Sequence, residues 1–431
     1  MRSSYLPLGL AALLIQPSFA AAQTHVHIPI PTTASPSFIA EVFPTKSAAS
    51  LTLAAAIHKA LQANPDLRLT ARDIEIAAGG VLQAGARPNP ELALLSEGLQ
   101  KESRTTTVQL NQTLELGGKR SARIAVAERE RDAATADLAA RRAEVRANVV
   151  GAFFDVLAAQ QRLQLAQAMQ QLARQATDAA VRRVTAGKIS PVEETRARVA
   201  EAGAKIELGQ AAGELALARR RLAAGWGSSD PDFGELAAPD NDPAVAATLP
   251  ALLARLAMAP QLVRARLEIA RQQAQVEVER SRRIPDLTLS LGNKRDEQAG
   301  RSQVIVGLSL PIPVFDANRG NLLSALRKAD KARDELTATE KRLELELAAA
   351  YQRHEQAKAE LGALRANILP DAQSVFDAAV KGFELGKFNF LDVLDAQRTL
   401  FQSKAHYLRA FAESHRAMAD MDRIVGADQQ N

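Results

Sequence analysis

The chain repeats itself, and the repeat limits what it can fold into more than any other feature. Asn64-Pro65 opens a helical stretch ending at Arg87-Pro88-Asn89-Pro90-Glu91-Leu92, and Ala259-Pro260 opens one ending at Arg283-Ile284-Pro285-Asp286-Leu287. Pro65 and Pro260 are 195 residues apart, as are Pro90 and Pro285. Further along the offset becomes 199: Ala180-Val181 answers to Ala379-Val380, Gly187-Lys188-Ile189-Ser190 to Gly386-Lys387-Phe388-Asn389, and Gly227 to Gly426. A four-residue insertion in an intervening loop accounts for the change. The chain thus divides into a leader 1–22, an extended arm 23–50, a first repeat 51–227, a linker or equatorial segment 228–250, a second repeat 251–426 and a tail 427–431.

Each copy reads as helix, two short strands, long helix, glycine turn, long helix. The helices are expected over Pro65 to Ala86, Lys119 to Ala186 and Ser190 to Ala224, and again over Pro260 to Arg283, Asn318 to Leu385 and Asn389 to Ile424. At 1.5 Å per residue each middle helix is a rod of about 100 Å, which no compact globule of this size contains. Val145, Val149, Ala152, Val156, Ala159, Leu163 and Ala166 alternate at spacings of four and three, a heptad seam. Val150, Phe153, Phe154 and Leu157 widen that seam beyond what one partner helix covers, so each rod belongs in a curved wall. The composition agrees, because an alanine-dominated apolar fraction with only 4% aromatic residues suits closely packed long helices.

The strand pairs are expected at Glu91 to Gly98 with Thr105 to Leu114, and at Asp286 to Leu291 with Gln303 to Leu310. Leu287, Leu289 and Leu291 alternate with Asp286, Thr288 and Ser290, the pattern of a strand with one apolar and one polar face. A hairpin packed on a soluble domain has the same periodicity. Residues 1–22 point to export: Arg2, an apolar run Leu6 to Ile15 too short to span a bilayer, and Ala20-Ala21-Ala22 form a secretory signal, leaving a mature charge of about +4. With no run of about 18 apolar residues elsewhere, an exported chain enters a membrane only as a β-barrel or not at all. Four strands cannot close a membrane barrel, whose smallest bacterial form has about eight. Three copies supply twelve.

The turns between the long helices are the most sharply specified local features. Gly187 and Gly386 stand where a left-handed residue ends a helix. Ser190-Pro191-Val192-Glu193 then reads as N-cap, first-turn proline and capping-box glutamate. Asp392 and Asp395 share one helical face in the second tip. Three copies would bring six carboxylates to one mouth, although Asp392 also suits a helix start.

At this point the chain resembles the outer-membrane efflux channels of the TolC family, particularly the outer-membrane members of cobalt-zinc-cadmium exporters. The resemblance rests on Gln112-Thr113-Leu114-Glu115-Leu116-Gly117-Gly118-Lys119-Arg120, on Leu308-Ser309-Leu310-Pro311-Ile312-Pro313-Val314-Phe315-Asp316 with Asn318 and Gly320, and on the tip Gly386 to Ala396. It implies a mainly α fold with a small β part: a homotrimer whose helical hairpins form a periplasmic α-barrel, continued by a 12-stranded β-barrel in outer-membrane lipid. It also implies a periplasmic adaptor and an inner-membrane RND pump as partners, metal cations as cargo, adaptor contact at Gly187, Lys188, Gly386 and Lys387, and a pore role for Asp392 and Asp395. Organic drugs or secreted proteins are the alternative cargo, and a pore-free periplasmic adaptor is the alternative class. Many relatives are lipoproteins, whereas this chain has no cysteine. Its first copy also has Glu193 and Arg196 where the second has Asp392 and Asp395, so an acidic ring from all six hairpins is not expected.

Nothing in the sequence calls for catalysis, a cofactor or a resident metal. There is no His-Glu-x-x-His helix, nucleophile elbow or phosphate loop. His25 and His27 lack further ligands nearby and read as part of a polar arm. His58, His354, His406 and His415 read as helix-surface or interface residues, and Trp226 as packing beside the acidic, proline-rich linker. A net charge of +5, mixed along the chain, does not indicate nucleic acid.

Overall fold

The computed structural model describes residues 51–98, 100, 103–237, 247–385, 387–388 and 390–426. The signal segment 1–22, the arm with His25 and His27, Asp240 and Asp242 of the linker, Gly386, Asn389 and the tail 427–431 lie outside the described residues. The first copy forms α1 (Leu53–Ala63), α2 (Pro65–Ala84), β1 (Glu91–Glu97), β2 (Thr105–Leu114), α3 (Lys119–Thr185) and α4 (Pro191–Ala224). The second forms α5 (Leu249–Arg255) with a 3-10 turn at Leu256–Met258, then α6 (Pro260–Ser281), β3 (Leu287–Asp296), β4 (Arg301–Ser309), α7 (Arg319–Ala363), α8 (Leu369–Glu384) and α9 (Phe390–Val425). The fold is mainly helical with one small sheet.

The rod α3, 67 residues and therefore about 100 Å long, is the axis of the chain. On its strand-proximal half pack α2 and α6; on its tip-proximal half pack α4 and α9, and α7 closes against α6 and α9. This neighbour set explains the wide seam read from the sequence, because Val145, Val149, Val156, Ala159 and Ala166 are buried together with Phe153, Phe154 and Leu157. Where the two halves meet, Phe154 stands edge-on to Phe153 and Phe411 and stacks flat on His415 at 3.7 Å. His354 is 1% exposed and its Nδ1 lies 3.2 Å from the Ser414 carbonyl. The expectation of surface or interface histidines is therefore corrected for His354, a core residue satisfied by the chain itself. The signal was its place on the α7 face that turns toward α9.

The duplication landmarks have a packing reason. Gly227 and Gly426 adopt φ of +78° and +77°, and end their repeats against the prolines that open α2 and α6. A Cβ on Gly227 would stand 2.8 Å from Pro65 Cγ, and one on Gly426 3.2 Å from Pro260 Cδ. Asn64 completes the first joint by capping Leu67 N at 3.1 Å while its amide donates to the Gly225 carbonyl at 2.8 Å. Trp226 beside it is buried, with Lys59 over its ring and Phe233 edge-on, as expected of a packing residue.

Four sequence expectations need correction. The second long rod is not continuous: a π-helical turn at Leu364–Ile368 separates α7 from α8. Pro370 is the cause, since its ring cannot accept the preceding α-helical geometry and it donates no N–H. Leu369 N instead bonds to the Leu364 carbonyl five residues back. The two short helices α1 and α5 were not foreseen. Strand β3 runs on to Asp296 because β2 pairs with it throughout, Thr105 opposite Asp296, although Asn293-Lys294-Arg295-Asp296 has no apolar alternation. Finally, Glu193 does not close a capping box: Ser190 Oγ accepts from Val192 N, and the Glu193 carboxylate pairs with Arg196 at 2.9 Å. The four-residue insertion between the copies lies between strand and helix, where 310–317 replaces the shorter 115–118.

Candidate functional site

The four strands form one antiparallel sheet in the order β1-β2-β3-β4. Register places Leu92, Leu110, Leu291 and Val306 in one cross-strand row and Leu94, Val108, Asn293 and Val304 in the next. With Leu289 and Leu308 these rows make one face, and its apolar side chains are exposed. The opposite face carries Thr105, Thr107, Gln109, Asn111, Ser290, Lys294 and Gln303. Asn111 Oδ1 accepts from Gln109 and from Ser290 there, so that face is internally bonded as well as polar. An apolar outer face at full exposure is stable only against lipid or another apolar surface. Strands β1 and β4 each present an open edge.

The strand-to-helix junction is built by the segment Glu115 to Arg123, whose role was not read from the sequence. Lys119 Nζ and Leu116 N both donate to Asp286 Oδ1, at 2.6 and 3.1 Å. Arg120 Nε donates to the Gly85 carbonyl at 2.6 Å, and Arg123 forms a two-pronged pair with Glu115. In the second copy Asn318 takes a left-handed φ of 55° and donates through Nδ2 to both the backbone and the carboxylate of Glu279 at 2.9 Å. Burial pushes the Glu279 carboxyl up, but Asn318, Arg282 and Gln275 outweigh it and hold it below its ordinary value. Partners about 170 residues apart leave no local pattern, so the run Gln112 to Arg120 was visible as a motif but its bonds to Asp286 were not.

At the other end, α3 closes in a Schellman turn: Lys188 N donates to the Arg183 carbonyl and Gly187 N to that of Val184, both at 2.9 Å, with Gly187 at φ 65°. The second tip repeats the outer bond, Lys387 N to the Gly382 carbonyl at 2.8 Å. Phe388 packs its ring over Gly382 so closely that a Cβ there would stand 2.2 Å from the ring. Lys188 and Lys387 are both exposed. Asp392 and Asp395 lie exposed on the first turns of α9, while Val393 and Ala396 between and beyond them are buried against Ala379 of α8. The structure thus brings the two carboxylates to one exposed face and puts Arg196 and Glu193 at the matching place of the first tip, paired with each other. Arg183 lies 4.4 Å over the Phe383 ring and joins one tip to the other. Among the described residues no group of three or more His, Asp or Glu side chains is placed to hold a metal ion, and no helix is long and apolar enough to cross a membrane.

A periplasm-length helical body, a four-stranded sheet with one apolar face and tight helical tips define the architecture of an outer-membrane channel subunit. The chain belongs to the outer membrane efflux protein family, which it matches over residues 56–228 and 253–427. It is an outer-membrane protein with a periplasmic helical part. It is 45% identical over 99% of its length, and 100% of the other's, to the cobalt-zinc-cadmium resistance protein CzcC of Cupriavidus metallidurans. The nickel and cobalt resistance protein CnrC of the same organism is 30% identical over 68% of this chain and 70% of its own. The fold is that of the outer membrane protein VceC of Vibrio cholerae, with a TM-score of 0.72 at 20% identity, covering 87% of this chain and 96% of that one.

Proposed function

We propose that the chain is the exit duct of a tripartite efflux system for divalent metal cations. Three copies close a 12-stranded barrel and a helical tube, and a periplasmic adaptor and an inner-membrane RND pump supply docking and energy. The observation that carries this reading is the sheet, which has one apolar face and two open edges and so is complete only in a ring. The metal cargo is supported by the name of the 45% identical relative. In this reading Gly187, Lys188, Gly386 and Lys387 meet the adaptor, and Asp392 and Asp395 shape the periplasmic mouth.

The duct acts by geometry and charge. Cations enter a constriction where three second-copy tips each place two carboxylates, while the first-copy tips, with Glu193 and Arg196 neutralising each other, add no net charge at that site. Opening moves α8 and α9 outward about the π-helical turn at Leu364–Ile368 and separates Arg183 from Phe383.

A deletion strain complemented with the wild-type chain and challenged with zinc, cadmium, cobalt, nickel and copper tests the cargo. Restored tolerance to at least one of the five is expected. Tolerance unchanged by deletion, with altered tolerance to organic drugs, would transfer the duct to the drug class. The ring is tested by the mass of detergent-solubilised protein, where a monomer that stays soluble without detergent would defeat it.

A further inference from the structure

The loop 310–318 is where the two copies differ most at the junction, and the added residues are apolar. Leu310, Ile312 and Val314 continue beyond β4 at the same two-residue spacing as Val304, Val306 and Leu308. They are 49%, 79% and 71% exposed, and Phe315 at the loop's turn is 101% exposed. Pro311 and Pro313 remove N–H donors, and Val314 N turns back to the Ile312 carbonyl at 2.9 Å, so the segment continues neither a helix nor a ladder. Asn318 fastens its far end to Glu279. Arg319, next to Asn318, and Arg283, four residues beyond Glu279, are both exposed.

We propose that this loop is a second membrane anchor, which inserts Ile312, Val314 and Phe315 into the periplasmic leaflet below the barrel. The proposal rests on the barrel reading, because the row it extends is the lipid-facing row of β4. Two further observations select lipid as the occupant. The arginines beside the loop match the phosphates of a leaflet surface. The segment that a neighbouring copy would bring alongside, Arg87-Pro88-Asn89-Pro90 ahead of β1, offers two proline rings between polar residues and no large apolar side chain to cover Phe315. In the first copy the counterpart loop 115–118 is spent on the ion pairs of the junction, so each chain carries one such anchor.

The chain contains no cysteine, so single-site labelling needs no background substitution. Full-length Phe315→Cys, Val314→Cys, Leu308→Cys and Lys188→Cys would each carry a nitroxide and be reconstituted in phosphatidylethanolamine–phosphatidylglycerol vesicles. Collision with oxygen and with a water-soluble nickel chelate is then compared. At Phe315 and Val314 the expected result is the pattern of Leu308, oxygen-accessible with loss of nickel broadening, while Lys188 shows the aqueous pattern. Nickel access at both loop positions, or loss of both collisions through burial against another copy, would overturn the anchor while Leu308 keeps the barrel reading intact. An aqueous pattern at Leu308 would mean that the barrel reading itself had failed.

Discussion

Charge pairing at single positions separates the two tips more than backbone geometry does. Replacing Asp392 and Asp395 together by Ala is expected to weaken block of the reconstituted channel by multivalent cations, read from single-channel currents. Unchanged block would remove them from the mouth. The half-buried Arg183 contact with Phe383 is worth about 0.5–1 kcal/mol, so Arg183→Ala should raise the open fraction about two- to fivefold. Along the body, Glu268 is held at about 2, well below its ordinary 4.5, first by Arg271 at 2.7 Å and then by Gln272 and Arg264 against the cost of burial. A depressed carboxyl stabilises above its unfolded value and loses that contribution as pH falls from 4.5 toward 2. Glu268→Gln should therefore cost about 1 kcal/mol at neutral pH, after allowance for partial exposure, and nearly nothing at the acid end of that window. Thermal unfolding at the two pH values checks this.

Elements show which parts of the fold were legible in the sequence. The rods, strand pairs and glycine turns announced themselves because heptad spacing, alternation and left-handed caps are local. The end of β3 was hidden because pairing with β2, not its own alternation, keeps Asn293 to Asp296 extended. The expected helix ran from Asn318 to Leu385 straight through Pro370, because how a helix absorbs a proline, here through a bond five residues back, depends on the packing of α9 alongside. The paired carboxylates were legible as a spacing, whereas the junction around Asp286 was not, since Lys119 and Leu116 reach it across the duplication. Pro370→Ala restores an N–H and removes the ring clash. It should stiffen the turn by about 1–3 kcal/mol, seen as slower amide exchange at 364–369. Exchange as fast as in the wild type would show that packing, not proline, sets the turn.

For the whole molecule, one copy is a segment of wall. The helices α2 and α4 leave Leu69, Ile76, Val192, Val199 and Ile206 exposed along the edge away from α3. Val192, Val199 and Ile206 repeat every seven residues, the spacing with which a helix meets a neighbour along its length. Charged substitution along that stripe, such as Val199→Glu with Ile206→Glu, should abolish the trimer in detergent while leaving the helical content of the chain unchanged.

The open edges of β1 and β4 also bear on the chain's history before it reaches its place. An isolated copy carries two strands whose backbone groups are free to recruit any other strand, correct or not. Folding of such a copy cannot be completed alone, so its stability is a function of how many copies are present. Between secretion and closure of the ring, the risk is wrong pairing rather than unfolding. Slow expression or a holdase that shields strand edges would then raise the yield of assembled channel more than any mutation that strengthens the helical body.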